Sequence, residues 1–241
     1  MILHKYLENL LYNRHVSLKY FCSYIAWVIV AVSWGLALAG VCSEVAAARV
    51  GGWLFLIGKG VMLLSTFVAG VRDWRLAWKV FVGRYCFDHR MPHGWVQALC
   101  RFTWELPQTW AGYVVAQWRV FFERVDRVDR LGGVTFVTNE HKYGDRVMGM
   151  SIGCFANIWV PYAIRGDFEE FATRRHRTIF RHEYGHSLDS HRWGLLYLPV
   201  VGATSLVSQL FDLRGWLNHK HSHCFVERLA DRHAERYFGE C

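Results

Sequence analysis

The stretch FRHEYGHSLDSHRWG, from Phe180 to Gly194, contains three histidines, a glutamate and an aspartate. Its core is H-E-x-x-H, in which His182 and His186 are four residues apart. On an α-helix, side chains at this spacing lie one above the other, so both imidazoles can bind one ion. Glu183 is displaced by about 100° around the helix, from where its carboxylate can reach a water next to that ion. The stretch predicts a helix that carries part of a metal site.

Two known extensions of this motif are excluded by the neighbouring residues. A metzincin would require glycine at position 189 and histidine at position 192, where this chain has Asp189 and Arg192. An intramembrane site-two protease would place the motif in an apolar span, whereas arginines at positions 174, 175, 177 and 181 precede it here. A catalytic zinc site would therefore take its third protein ligand from another part of the chain.

A second stretch, FVERLADRHAERYFG from Phe225 to Gly239, contains the pattern E-x-x-A-D. Downstream of H-E-x-x-H, this pattern resembles the gluzincin signature in the form found in HtpX-type and CAAX-prenyl-type membrane proteases. The resemblance implies a zincin-like fold with Zn²⁺ held by His182, His186 and Glu227. It also implies that Asp231 accepts a hydrogen bond from the remote nitrogen of a ligating imidazole and so fixes the tautomer of that ring.

Other residues near the second motif leave alternatives open. His223 lies four residues before Glu227, so on a continuous helix it could replace Glu227 as the third ligand. His233 and Tyr237 follow the E-x-x-A-D pattern, and either could stabilise a developing oxyanion. Without a metal, the two imidazoles of H-E-x-x-H would be ordinary hydrogen-bonded side chains of a protein core.

The composition favours contact with a membrane. Apolar residues make up 53% of the 241 residues, and twelve are tryptophan, a residue that concentrates at lipid headgroups. The net charge is +8. The basic residues are scattered among apolar segments and are not gathered on one face, and the sequence contains no nucleic-acid-binding motif. The sequence therefore predicts the lipid bilayer as a partner, and no nucleic acid.

Two apolar stretches near the N-terminus predict a transmembrane hairpin. Residues 20–43 contain no charged side chain, and residues 50–71 contain only Lys59; about 20 apolar residues suffice to cross the hydrocarbon core. Lys59 is expected to extend toward the nearby interface, with a functional buried lysine as the alternative. We therefore expect a hairpin domain, 1–92, followed by a zincin-like domain, 93–241.

The distribution of basic residues predicts the orientation of this hairpin. The connecting loop contains only Arg49, whereas seven basic residues flank the hairpin: Lys5, Arg14, Lys19, Arg72, Arg75, Lys79 and Arg84. The positive-inside rule then predicts a multi-pass protein of the cell (inner) membrane with its catalytic domain in the cytoplasm. An alternative is cleavage of a signal sequence near Ala39, which would place the remainder of the chain outside.

Two further helical segments are expected outside the motifs. One begins near Thr109, because Pro107 interrupts the apolar run before it, and the charged repeat RVDRVDR (124–130) is expected to be a solvated helix end. The other is the apolar stretch 194–211, which contains a proline and a glycine. It is predicted to be one interfacial or membrane-dipping helix.

Strands are expected immediately before the histidine motif. Residues 133–139 and 147–160 are rich in β-branched and apolar residues, and the turn-like segment between them predicts an antiparallel pair. Asp167, followed by Glu170, predicts a helix N-terminus, and Gly194 is the predicted end of the helix that carries the motif.

Together these features predict an α+β protein that is mainly helical, with a membrane-anchored zincin-like domain and a small antiparallel sheet before the H-E-x-x-H helix. The predicted function is zinc-dependent hydrolysis of peptide bonds in a protein or peptide, membrane proteins included, with Glu183 as general base. By the family resemblance, an extended substrate would lie against the strand at 147–160. One alternative is a non-catalytic membrane scaffold or regulatory protein with a structural zinc site. Another is a membrane protein in which the hairpin and Lys59 are the functional elements.

Overall fold

The computed structural model describes residues 28, 31–88, 94–141, 144–145, 147–174, 178–213 and 224–239. The contacts divide the chain into two units, Met1–Lys59 and Gly60–Cys241. The described α-helices are α1 (Ala31–Val41), α2 (Ala46–Gly83), α3 (Gly94–Arg101), α4 (Leu106–Phe122), α5 (Phe168–Thr173), α6 (Thr178–Trp193), α7 (Ala203–Leu213) and α8 (Phe225–Phe238). The strands are β1 (Arg127–Leu131), β2 (Val134–Glu140), β3 (Met148–Ile152) and β4 (Phe155–Val160).

In the first unit, α1 packs closely against the beginning of α2. A Cβ atom added to Gly52 would lie 2.8 Å from the carbonyl oxygen of Ala37, so the two backbones approach to a distance that only glycine allows. Lys59 is 2% exposed and its ammonium donates to Ser33 Oγ at 2.8 Å. The lysine is therefore buried against α1. The expectation that its side chain extends toward the membrane interface is wrong. Of the predicted span 20–43, residues 20–27, 29 and 30 lie outside the described residues.

Within the residues that the structure describes, two helices are long and apolar enough to cross a membrane, which supports membrane association. The first is α2, whose regular geometry breaks at Asp73 (φ −147°, ψ 97°), just after the predicted span 50–71. Asp73 Oδ1 accepts a hydrogen bond from the backbone N–H of Leu76 at 3.0 Å and so caps the second half of the helix. The second is the helical stretch Thr178–Asp212, in which a 3₁₀ turn (Gly194–Leu196) and a π-helical turn (Tyr197–Gly202) join α6 to α7. It includes the predicted interfacial stretch.

The second unit is built around a mixed four-stranded sheet in the order β1-β2-β4-β3. Alternate side chains of a strand point to opposite faces of its sheet. On one face, Val137 and Phe155 pack with α2 and α4; on the other, Phe136 and Ile158 pack with α5 and α6. Because helices cover both faces, β2 and β4 are buried along almost their whole length.

The prediction of a simple antiparallel sheet is wrong. Residues 147–160 form the hairpin of β3 and β4, which turns at Gly153 (φ +63°), and β4 is parallel to β2. The repeat at 124–130, expected to end a helix, instead contributes to β1, which pairs with β2. The almost continuously apolar sequence FANIWV suits a central strand, whereas the half-exposed MGMSI of β3 suits an edge.

Helix α4 begins at Leu106, three residues before the predicted start at Thr109. Pro107 does not interrupt the helix because it lies in the first turn, where its missing N–H would have no helical partner. The side chain of Arg119 is buried and donates to the carbonyl oxygen of Val137 at 2.8 Å. Helix α4 is thus a core helix that is tied to the sheet.

The predicted helix from Asp167 to Gly194 is divided into two. Its N-terminus is confirmed, since Asp167 Oδ1 accepts a hydrogen bond from the backbone N–H of Glu170 at 2.9 Å. Helix α5 ends where Arg174 adopts an extended conformation (ψ 138°). Helix α6 carries the histidine motif, and Gly194 (φ +51°) follows its last residue, as predicted.

Candidate metal centre

Helices α6 and α8 cross at their two smallest residues, and this crossing brings the two motifs together. A Cβ atom added to Gly185 would lie 2.1 Å from the carbonyl oxygen of Ala230, and Ala230 is fully buried. Next to this crossing, the ring of Tyr184 on α6 packs on the ring of Tyr237 on α8, with centroids 4.5 Å apart. The glycine of HEYGH and the alanine of E-x-x-A-D are therefore the residues that set the distance between the two helices.

Replacing Gly185 by alanine is expected to destabilise the protein by about 1–3 kcal/mol, because the added methyl group collides with backbone that cannot rotate away. The helix-forming preference of alanine, about 0.5–1 kcal/mol, would not offset this. The measurement is the thermal unfolding midpoint of the purified chain in detergent. Gly60→Ala is the matched control, because a Cβ at Gly60 meets nothing within 4 Å. Equal midpoints for the two variants would contradict the packing argument.

The structure places His182, His186 and Glu227 side by side. The Nε2 atoms of both imidazoles lie 3.1 Å from the same carboxylate oxygen, Oε2 of Glu227, and the three ligand atoms are all within 4.8 Å of one another. In tetrahedral zinc sites, with bonds of about 2.0–2.1 Å, neighbouring ligand atoms are about 3.3 Å apart. The three side chains therefore fit around one divalent ion. Within the described part of the chain they are the one such cluster.

The hydrogen bonding of His182 gives a second test of whether a cation fits. Its Nδ1 lies 2.7 Å from Asp231 Oδ1 and its Nε2 lies 3.1 Å from Glu227 Oε2. Ionised carboxylates only accept hydrogen bonds, and a neutral imidazole has only one N–H. Without a cation, His182 must therefore carry protons on both nitrogens. With a cation at Nε2, a neutral His182 can donate its one N–H from Nδ1 to Asp231, while Nε2 and Glu227 both face the cation. A carboxylate at the remote nitrogen is the usual arrangement around metal-binding histidines.

Glu227 remains ionised in this environment. Burial on its own would raise the pKa of Glu227, but hydrogen bonds with His182 and His186 outweigh burial and hold the pKa well below its ordinary value. The carboxylate is 4% exposed, so its charge is only weakly screened by water. A buried anion between two imidazoles favours a positive charge at the same point.

Glu183 lies next to this cluster without contributing a ligand atom to it. The side chain is 3% exposed, and among the described residues its Oε2 atom has no hydrogen-bond partner. The carboxylate lies against the backbone of β3, where a Cβ at Gly149 would be 2.1 Å from Glu183 Oε1. Ser151 of the same strand donates to the backbone oxygen of Glu183 at 2.9 Å. The edge strand thus holds this buried carboxylate, with one oxygen still able to accept a proton.

His233 and Tyr237, the two residues suggested as oxyanion donors, form hydrogen bonds with other side chains of the protein. His233 is 4% exposed; its Nδ1 contacts Asp189 Oδ1 and its Nε2 accepts from Arg192, so both ring nitrogens are occupied. The hydroxyl of Tyr237 donates to Asp88. Neither group is available to a substrate in this arrangement, and the expectation that either stabilises an oxyanion is not supported.

Asp189 is a neighbour of the cluster that sequence patterns did not identify as such. This carboxylate is fully buried, and its Oδ2 lies 3.9 Å from Nδ1 of His186. That distance is too long for a hydrogen bond but close enough for its negative charge to act on the ring. The alternative ligand His223 lies outside the described residues.

Comparison of the chain with known protein families, curated proteins and solved structures gives no match. The geometry of the two motifs is therefore the feature that bears on its function.

Proposed function

We propose that this chain is a membrane-anchored zinc-dependent metallopeptidase of the gluzincin type. The proposal depends mainly on one observation: the buried carboxylate of Glu183, which has one oxygen without a hydrogen-bond partner in the described part of the chain, adjoins a cluster of two imidazoles and a carboxylate. Two imidazoles and one carboxylate are a ligand set that catalytic zinc prefers. A structural zinc site needs no such neighbouring carboxylate.

The residues of the cluster have separate roles in this proposal. His182, His186 and Glu227 hold the metal, and Asp231 fixes the tautomer of His182 through the bond to Nδ1. A divalent zinc ion bound there would supply Lewis acidity that polarises the scissile carbonyl and activates water. Glu183 accepts a proton from the attacking water and donates it to the leaving amine.

The free edge of the sheet supports a peptide as substrate. Strand β3 pairs with β4 on one side, and among the described residues no strand pairs with its other side. Gly149 of β3 lies directly against Glu183. An extended peptide that adds to this edge would bring its backbone carbonyls close to the cluster without any requirement on its side chains.

Membrane proteins are included in the proposed substrates, because an exposed apolar segment follows α6, the helix of the histidine motif, within the stretch Thr178–Asp212. We further propose a multi-pass arrangement in the cell (inner) membrane, with the peptidase domain in the cytoplasm. Support comes from the basic residues that flank the hairpin.

The test of this function is metal analysis together with a cleavage assay on the full chain in detergent. We expect about one zinc per chain, and cleavage of casein that a chelator stops and added zinc restores. Wild-type protein that binds zinc but never cleaves would indicate the scaffold or regulatory alternative. Wild-type protein that binds no zinc would end the proposal.

A further inference from the structure

The apolar segment between the two motifs has an inner side that contacts the cluster and an outer side that is exposed. On the inner side, Tyr197, Val201 and Ser208 are 4%, 1% and 5% exposed. The outer side exposes six large apolar side chains: Leu195, Leu196, Val200, Leu206, Val207 and Leu210. Such an exposed apolar surface suits lipid better than water. A helix of this kind would be expected to contribute anchoring alone.

Ser205, on the inner side of this segment, contacts the third proposed ligand directly. Its hydroxyl donates to Oε1 of Glu227 at 2.8 Å. The other oxygen of the same carboxylate, Oε2, is the one that faces both imidazoles. The two oxygens of Glu227 therefore have different partners: Oε1 accepts the hydrogen bond from Ser205, and Oε2 lies beside the two imidazoles. Serine hydroxyls in helices often bond to the carbonyl one turn earlier, whereas this one bonds across to α8.

We propose that Ser205 is a positioning residue of the metal centre, which selects the carboxylate oxygen of Glu227 that binds the ion. This inference rests on the proposed metal site. Glu227 is almost fully buried, so without the serine its Oε1 would lose a hydrogen bond that water cannot easily replace. The carboxylate would then gain freedom to rotate away from the imidazoles, and the ion would be held less tightly.

A second contact shows that the segment is joined to the cluster at two points. The hydroxyl of Tyr197 donates to the backbone oxygen of Ser151 in β3 at 3.2 Å, and Ser151 in turn bonds to the backbone of Glu183. Eight residues further on, Ser205 bonds to Glu227. The apolar segment thus links the strand beside the general base to the third ligand, and it is part of the site as well as a candidate membrane contact.

The experiment compares metal affinity in the full-length chain, in the same detergent, by competition with a chelator of known zinc affinity. We expect Ser205→Ala to weaken zinc binding by about 10- to 100-fold, the usual effect of losing a partner that orients a ligand. Ser205→Thr, which keeps the hydroxyl, should restore the affinity. Thr204→Val is the matched control, because it removes a hydroxyl from the exposed neighbouring residue.

The outcomes separate this inference from the proposed function. Wild-type protein that binds no zinc would refute the proposed function. Wild-type binding with unchanged affinity in Ser205→Ala would overturn only the role of Ser205. An equal loss of affinity in Thr204→Val would also overturn it, because the effect would then come from disturbance of the helix and not from the hydrogen bond to Glu227.

Discussion

Replacing Glu183 by glutamine is expected to lower the rate of peptide hydrolysis by about 10²- to 10⁴-fold, the usual contribution of a general base. Zinc content should stay at the wild-type level, because Glu183 contributes no atom to the cluster of His182, His186 and Glu227. Glutamine has the shape of glutamate and should fit against Gly149 equally well. The measurement is the initial rate of casein cleavage at matched zinc occupancy.

Glu169→Gln is the control for this variant. It removes the same charge from an exposed position in the first turn of α5, so the cleavage rate should remain at the wild-type value. If Glu183→Gln cleaved at a rate close to wild type, Glu183 would not be the base. If Glu183→Gln lost its zinc, Glu183 would belong among the ligands and the division of roles proposed above would be wrong.

Local patterns in the sequence predicted individual elements more accurately than their pairing. The capping aspartate at 167 and the helix end before Gly194 depend on nearest neighbours, and both are found. β2 and β4 pair in parallel at the centre of the sheet, where helices cover both faces. The sequence of one strand does not show which strand it will pair with, because the pairing depends on this packing. The repeat at 124–130 looks like a charged helix end, yet Arg127 and Arg130 lie in β1, a strand at the edge of the sheet.

The site shows the same division between local and distant information. The spacing of His182 and His186 depends on one helix and could be predicted. The alanine of E-x-x-A-D indicated a family resemblance, and the structure gives it a physical role as the residue that contacts Gly185. Ser205 could not be found from a pattern, because its contact with Glu227 depends on how α7 and α8 pack. Asp189 lies three residues after His186 on α6, so the spacing along the helix was the signal that could have indicated it.

Replacing Glu227 by alanine should remove zinc binding almost entirely, a larger effect than the roughly 10- to 100-fold loss expected for an orienting partner. The variant deletes the one described oxygen that faces both imidazoles. Two histidines alone leave the ion short of the three protein ligands usual in catalytic sites. Bound zinc and the zinc-induced rise in the unfolding midpoint are the two measurements, and both should fall together.

Glu235→Ala is the control for this last variant, because Glu235 lies on the same helix, two turns beyond Glu227, and is exposed. In the wild type and in this control, zinc at about 100 times its dissociation constant should stabilise the fold by about 2.7 kcal/mol. Glu227→Ala should gain nothing from the same addition. Zinc retained by Glu227→Ala would show that another group, with His223 as the sequence alternative, is the third ligand. The pairing of α6 with α8 would then serve packing alone.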